Sequence, residues 1–270
     1  MRRKENLQTC PGEKTMKDEW LQGGPSDLHM HTRYSDGKDS PEDMILAAME
    51  RGLHCVGISD HSHTEGDECG MTPEGTLAFR AEMDLLKQKY SGKIRVLCGL
   101  ERDYYSDDHL AYDYVIGSVH FLRMEDGGRV HVDWTAEKQR EGIGKYFGGD
   151  WYAFAEAYYA LVSRVAEVTK CDIIGHFDLL TKFMEKDSWF DVRHPRYEAA
   201  WKRAADILLK TGKPFEVNTG ALSRGYRTDA YPAREIRQYL RERGARLILS
   251  SDAHRKENVG FAFDRFRDEI

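Results

Sequence analysis

Seven short apolar runs alternate with longer amphipathic runs along this chain of 270 residues, and this alternation limits the possible folds more than any other feature. Short strands with helices between them are typical of repeated β/α units, which build parallel sheets and barrels. The strands are predicted at 27–31, 55–59, 95–100, 114–118, 172–175, 214–218 and 246–250. Their number is close to the eight strands of the common α/β barrel.

Terminal signals support helices between these strands. Ser40 is an N-cap residue before Pro41, and Gly52 follows the same run as a C-cap signal. Further helices are predicted at 73–90, 151–169, 195–210 and 232–243. The segment 121–149 is rich in Gly and in charged residues, and we interpret it as a long loop or insertion above the barrel.

The composition is that of an ordinary globular protein, with 40% hydrophobic and 32% charged residues. We expect an N-terminal extension over residues 1–24 and one barrel domain over residues 25–270. The net charge of −6 and the scattered Lys and Arg residues give no support to a nucleic-acid or membrane partner. The first residues lack the apolar core of a signal peptide, and the Cys residues fit a reducing compartment, so we expect a cytoplasmic protein.

Nearly every predicted strand ends in a His, Asp or Glu residue. The carboxyl ends of all strands in a β/α barrel meet on one face, where such enzymes place their chemistry. The residues at these ends are His29, His31, His61, His63, Glu101, His120, His176, Asp252 and His254. Burying so many ionisable groups without partners is costly, which argues against a purely structural role for the whole set.

Two of these pairs have the spacing of a chelate. His29 and His31 are two residues apart, as are Asp252 and His254, so both side chains of each pair point the same way on a strand. Imidazoles and carboxylates without thiolates suit zinc, iron(II) or manganese. We interpret four isolated residues as surface or hydrogen-bonded side chains instead: His54, His109, His131 and His194.

Taken together, these residues resemble the motifs of the polymerase and histidinol phosphatase (PHP) superfamily. The matching motifs are His29-Met30-His31, Asp36, Asp60-His61, Gly99-Leu100-Glu101, Gly117-Ser118-Val119-His120, Gly175-His176 and Ser251-Asp252-Ala253-His254. The resemblance extends from Ser26 to the C-terminus and implies an α/β fold, a distorted (β/α)7 barrel. The run from Glu216 to Thr219, followed by Arg224, is similar to family members that hydrolyse L-histidinol phosphate in histidine biosynthesis.

The resemblance also implies a site for two to three divalent metal ions. The residues that would bind the first ion are His29, His31, Glu101 and Asp252. Glu101 would bridge to the second ion, which His120 and His176 would also bind. Those of the third ion are Asp36, His61 and His254, where Asp36 stands at a position that is His in many relatives.

A multi-metal centre can activate water near neutral pH and stabilise both oxygens of an in-line displacement. We therefore expect a metal-bridging hydroxide to attack phosphorus, with Glu101 and Asp252 as essential carboxylates and no covalent intermediate. Arg224, Arg255 and His63 are candidates for contacting the phosphate or protonating the leaving alkoxide. Alternatively, each Arg is a solvated charge at a helix start or in a loop.

Three other functions stay open on the sequence alone. A relative of the amidohydrolases would share the HxH start, but it would normally require a carboxylated Lys where Glu101 stands. A PHP nuclease or nucleotide phosphatase acting on 3′ ends would favour a basic groove. A non-enzymatic module would usually have closed metal coordination. We expect a small phosphorylated substrate, with its leaving group bound by loops such as segment 121–149.

Overall fold

The computed structural model describes residues 24–270, which form a barrel of parallel strands with helices between them. The expected extension over residues 1–24 lies, apart from Gly24, outside the described residues. The strands are β1 (Ser26–Asp27), β2 (Cys55–Ile58), β3 (Arg95–Asp103), β4 (Tyr114–Ser118), β5 (Phe121–Arg123), β6 (Arg129–His131), β7 (Ile173–Ile174), β8 (Phe215–Asn218) and β9 (Leu247–Ser250). Seven of them pair in the order β1-β2-β3-β4-β7-β8-β9, and β5 and β6 form a separate antiparallel hairpin.

Backbone hydrogen bonds between the first and last strands close the barrel just beyond the ends of β1 and β9. The amide of His31 donates to the carbonyl oxygen of Ala253 at 2.9 Å. The amide of Ala253 donates to the carbonyl oxygen of His29 at 3.3 Å. Met30 and Ala253 form the corresponding parallel bridge. All seven predicted strands are present, and the predicted (β/α)7 barrel is confirmed.

Helices connect the strands, and the first begins at its predicted capping residue. The helices are α1 (Pro41–Glu50), α2 (Pro73–Lys89), α3 (Ala136–Phe147), α4 (Trp151–Val162), α5 (Val165–Thr169), α6 (Met184–Asp187), α7 (Pro195–Leu209), α8 (Gly220–Ser223), α9 (Arg234–Glu242) and α10 (Phe263–Phe266). The Ser40 hydroxyl accepts from the Asp43 amide at 3.1 Å, and the Asp43 carboxylate accepts from the Ser40 amide at 3.2 Å, forming a capping box. Among residues 24–270, every helix is too short or too polar to cross a lipid bilayer.

The segment 121–149, interpreted as a long loop or insertion, is an insertion with its own secondary structure. It contains the β5–β6 hairpin and then α3, whose N-cap is Thr135. Val130 and Val132 are fully buried, whereas the neighbouring residues at 129 and 131 are only partly covered. This alternation over so few residues is hidden in the sequence by the surrounding Gly and charged residues.

Two predicted helices have different limits in the structure. The run 151–169 is divided into α4 and α5, and the Ser163 hydroxyl at the break donates to the Ala160 carbonyl at 2.8 Å, in competition with backbone bonding. The helix predicted at 232–243 begins only at Arg234. Tyr231 keeps the preceding chain extended, because it exchanges two backbone hydrogen bonds of 2.8 Å with Asn218.

Tyr114 of β4 fills the interior of the barrel. Its ring is fully buried, and its hydroxyl donates to the carbonyl oxygen of Leu28. A Cβ added at Gly99 on the adjacent β3 would lie 2.2 Å from this ring, so Gly99 is required for the close approach. The other members of this apolar cluster are Leu28, Cys55, Leu97, Ile116, Ile173 and Ile248. The apolar cluster fills the interior, and the polar residues of the site lie at the carboxyl ends of the strands.

Candidate metal centre and active site

Glu101 lies at the centre of a group of imidazoles at the carboxyl ends of the strands. It belongs to β3 and is 1% exposed. Its Oε2 is 3.1 Å from His29 Nε2, 3.3 Å from His31 Nε2 and 3.0 Å from His61 Nδ1. Its Oε1 is 3.2 Å from His120 Nε2 and 2.8 Å from His176 Nε2. One carboxylate therefore meets residues that follow β1, β2, β4 and β7.

The alternation predicted for His29 and His31 is present at the end of β1. Both imidazoles are fully buried, with ring centroids 5.1 Å apart. Met30 between them packs in a different environment, an apolar cluster that includes Val56 and Ile58. The strand pleat thus gives the two imidazoles one common side, where Glu101 lies.

Asp252 approaches the two imidazoles from the end of β9. Its Oδ1 lies 3.3 Å from His31 Nε2 and 3.9 Å from His29 Nε2. The backbone of Asp252 has a φ of +49°, which is rare outside glycine and concentrated at functional sites. Gly220 makes room for this carboxylate, because a Cβ at that position would lie 2.5 Å from Asp252 Oδ2.

Asp36 joins a further group beside His31. Its Oδ2 lies 3.1 Å from His254 Nε2. Its Oδ1 is 3.8 Å from both His31 Nδ1 and His61 Nε2. The carboxylate thus faces three imidazoles that come from the ends of β1, β2 and β9.

Two buried carboxylates that spacing does not predict as ligands support this arrangement. Glu216 Oε1 lies 2.7 Å from His29 Nδ1, and Glu216 Oε2 accepts from the His176 amide at 3.0 Å. Asp60 accepts from the amide and the hydroxyl of Thr32, both at 2.7 Å, and so anchors the loop that leads to Asp36. The sequence signals for Glu216 are its place in the family-like run from Glu216 to Thr219 and its charge inside the buried strand β8, but neither marks it as a support of His29.

Burial and neighbouring charges together set the protonation of the centre. Burial opposes ionisation of Glu101, but the surrounding imidazoles outweigh it and hold the pKa of this carboxyl well below its usual range. Burial likewise opposes ionisation of Asp252, and the Arg224 guanidinium and His29 hold its pKa low. Burial lowers the pKa of His31 to about 3. The carboxylates are thus ionised and His31 is neutral, as metal binding requires. Burial opposes protonation of His29, His61 and His120, but the neighbouring carboxylates outweigh it, raise the pKa of His61 to about 9 and raise those of the other two well above the usual range, so binding of a cation would release protons from these imidazoles.

Several buried nitrogen and oxygen atoms in this centre, which could each bind a metal ion, lack a hydrogen-bond partner within the described chain. Among residues 24–270, no hydrogen bond reaches His29 Nε2, His31 Nε2 or Glu101 Oε2. Four sets of side chains place one ligand atom each within 4.8 Å of one another: His29, His31 and Asp252; His29, Glu101 and His176; His61, Glu101 and His120; and His31, Asp36, His61 and His254. All nine predicted ligands occur in these sets, and their nitrogen and oxygen donors fit divalent metal ions.

A cavity of about 230 Å³ gives access to these residues. Arg224 lines it, together with Glu101 and Asp252. The Arg224 guanidinium lies 3.2 Å from Asp252 Oδ2 through Nη2 and 2.8 Å from His254 Nδ1 through Nη1. This predicted phosphate contact is therefore beside the metal-ligating groups.

The structure does not bring His63 and Arg255 to this cavity. The His63 side chain is 36% exposed and faces Asp107 at 3.4 Å. Strand pairing ends with an isolated bridge at His61, so the alternation that would turn His63 inward does not continue. Arg255 is exposed, because the chain leaves the barrel after His254 and enters a 3-10 turn at Lys256–Asn258.

Part of the cavity wall comes from the insertion at 121–149. The residues that it supplies are Phe121, Arg129, His131, Asp133 and Trp134. His131, interpreted as a surface or hydrogen-bonded residue, lies on the cavity wall and belongs to none of the metal-ligating sets. Lys182 and Tyr226 line another part of the wall. No motif spacing marks these residues, because their positions follow from the pairing of β5 with β6 and from loop packing.

Comparisons with known proteins agree with this geometry. A sequence model of the PHP domain family matches residues 27–220. A Deinococcus radiodurans protein named "Probable histidinol-phosphatase" is 29% identical, over 89% of this chain and 90% of its own length. The histidinol-phosphatase of Bacillus subtilis is 25% identical, over 89% of this chain and 97% of its own length. A solved structure of a Lactococcus lactis histidinol phosphate phosphatase, complexed with Zn, L-histidinol and phosphate, superposes on this chain with a TM-score of 0.65 over 92% of each chain. The two sequences are 18% identical, so the likeness shows that the two proteins share a fold.

Proposed function

Because this chain belongs to the PHP domain family, we propose that it is a metal-dependent phosphomonoesterase that hydrolyses L-histidinol phosphate to L-histidinol and phosphate. The observation that carries the proposal is the buried Glu101 carboxylate, which lies within 3.3 Å of five imidazoles. Among the described residues, His29 Nε2, His31 Nε2 and Glu101 Oε2 are buried without a hydrogen bond, which is costly, and bound cations would satisfy these atoms. The relatives that carry the phosphatase name match over nearly the whole chain, which supports the substrate.

The ligand sets have room for two to three divalent ions. Glu101 occurs in two sets, which supports a carboxylate that would be shared by two of these ions. Nitrogen and oxygen donors suit zinc, iron(II) or manganese, and zinc is the ion in the L. lactis structure. Cys69 lines the cavity but belongs to none of the sets, and burial raises the pKa of its thiol to about 11. A thiolate ligand is therefore not part of the proposal.

Bound ions at such a centre supply an activated water and neutralise charge on the phosphoryl group. The side chains of the protein orient the substrate. Arg224, held by Asp252 and His254, presents a guanidinium to the cavity, and its planar fork matches two phosphate oxygens. Glu101 also stands where an amidohydrolase would carry a modified Lys, which favours the phosphatase. Glu101 and Asp252 face a cavity, whereas structural metal sites usually have closed coordination, so the geometry favours an enzyme over a non-enzymatic module.

A substrate panel tests this function. Phosphate release by the metal-loaded protein is measured with L-histidinol phosphate, nucleotides and sugar phosphates. We expect the highest kcat/KM for L-histidinol phosphate. A higher kcat/KM for a nucleotide, or for a nucleic-acid 3′ end, would instead favour the other activities known in this family.

A further inference from the structure

Two carboxylates line the cavity without belonging to any of the metal-ligating sets, namely Asp67 and Asp133. Asp67 Oδ1 accepts a hydrogen bond from the amide of Cys69 at 3.0 Å within its own loop. Asp133 is held differently, by a side chain from a distant part of the fold. The Lys182 ammonium donates to Asp133 Oδ2 at 3.1 Å and to its backbone carbonyl oxygen at 2.7 Å.

This double contact fixes one side of Asp133 and leaves the other free. Lys182 is only 12% exposed at its side chain, so the pair is largely withdrawn from water. Within residues 24–270, no side chain or backbone amide donates to Asp133 Oδ1. The carboxylate is 25% exposed, and it lies on the cavity wall. One anionic oxygen is therefore available to a molecule bound in the cavity.

Aromatic rings lie beside this carboxylate. Trp134 follows it in the chain, lines the same cavity and is 46% exposed, which is high for a large apolar side chain. The His131 ring lies edge-on to Trp134, with centroids 4.7 Å apart. Phe121 lies on the other side of His131, with a centroid distance of 6.4 Å. A free carboxylate beside aromatic faces is suited to a ligand that combines an ammonium group with a flat ring.

We propose that Asp133, positioned by Lys182, binds the ammonium group of the leaving alcohol, while Trp134 and His131 contact its ring. The inference rests on the proposed function, in which the leaving group carries both an ammonium and an imidazole. It makes Asp133 the residue that selects amine-bearing phosphate esters. Lys182 is a positioning residue, because it acts through Asp133.

The test compares two esters that differ only in the amine. Phosphate release is measured with L-histidinol phosphate and with 3-(imidazol-4-yl)propyl phosphate, for the metal-loaded wild type and Asp133→Asn. Loss of a charge-assisted hydrogen bond should lower kcat/KM for L-histidinol phosphate by about 10- to 100-fold and leave the deaminated ester within about threefold. Asp264→Asn, at a carboxylate 92% exposed, is the matched control and should change neither value. An equal loss with both esters, or no loss with either, would overturn the proposal.

The wild type alone provides a second measurement that needs no variant. It should prefer L-histidinol phosphate over the deaminated ester by about tenfold or more, and equal kcat/KM values would refute the subsite. For Lys182, we expect Lys182→Met to raise KM for L-histidinol phosphate more than it lowers kcat, and Lys182→Arg to restore most of the affinity. A fall in kcat with unchanged KM would contradict the positioning role.

Failure of the proposed function can be separated from failure of the subsite. If the wild type does not hydrolyse L-histidinol phosphate, O-phosphoethanolamine and ethyl phosphate provide a second pair of esters with and without an amine. A preference for the amine that disappears in Asp133→Asn would keep the subsite and reject the substrate. Hydrolysis of L-histidinol phosphate with no role for Asp133 would keep the substrate and reject the subsite.

Discussion

Replacing Glu216 with Gln should weaken metal binding although every predicted ligand stays in place. Glu216 Oε1 lies 2.7 Å from His29 Nδ1, and neither side chain is more than 1% exposed. This contact keeps the Nδ1 proton of His29 and directs Nε2 towards Glu101, 3.1 Å away. Gln has nearly the same size but no charge, and its amide can also donate. The His29 ring would therefore lose the anion that fixes its tautomer and orientation.

The size of the effect follows from the burial of this contact. Substitutions of residues that hold a ligating His typically change metal affinity by about 10- to 100-fold. A charge-assisted hydrogen bond contributes roughly 1.5–3 kcal/mol, which corresponds to about the same range. Glu216 also accepts from the His176 amide at 3.0 Å, so a second ligand would shift as well. We expect the dissociation constant to rise by about 30- to 100-fold.

The assay is a competition titration of zinc between the metal-depleted protein and a chromophoric chelator. Wild type, Glu216→Gln and the control Glu167→Gln are compared, because Glu167 is 68% exposed and lies away from the cavity. Circular dichroism establishes that all three proteins are folded. A folded Glu216→Gln protein with the zinc affinity of the wild type would refute the orienting role of Glu216.

Four further substitutions have defined outcomes. Glu101→Gln should lower kcat/KM by at least about 100-fold with an unchanged circular dichroism spectrum, and retained activity would rule out a bridging carboxylate. Gly220→Ala should lower activity and reduce the free energy of unfolding by about 1–3 kcal/mol, because the added Cβ would lie 2.5 Å from Asp252 Oδ2. Thermal denaturation measures the loss, and a wild-type melting curve would contradict this clash. His63→Ala and Arg255→Ala should each leave kcat/KM within about twofold of wild type, since surface substitutions change free energies by roughly 0.5 kcal/mol, and a large loss would return these side chains to the site.

The barrel and the grouping of side chains around Glu101 could be predicted because their signals are local. Each strand is a short apolar run, and the pleat makes residues two apart share a side, as His29 and His31 do. Parallel strands then bring their carboxyl ends together whatever the length of the connections, so Glu101 and Asp252 meet although they are far apart in sequence. The limits of the helices were less accurate where tertiary contacts intervene, as at Tyr231, which pairs with Asn218.

The remaining parts of the site depend on contacts that have no spacing in the sequence. Glu216 supports His29 across the barrel, 187 residues away in the chain. Asp133 and Lys182 are 49 positions apart in the chain and meet only because the insertion folds onto the loop after β7. His63 has the spacing of a ligand, but pairing of β2 with β3 ends at His61 and the side chain turns to the surface. Such features follow from the packed structure and not from a local pattern.

We propose that the buried carboxylates and imidazoles around Glu101 hold the metal ions with which this protein hydrolyses L-histidinol phosphate. The most direct measurement is phosphate release from L-histidinol phosphate by the protein before chelation, after thorough chelation, and during stepwise return of zinc or manganese. We predict that activity is lost on chelation and returns as two to three equivalents of metal bind. Full activity in protein with less than one equivalent of bound metal would contradict the claim.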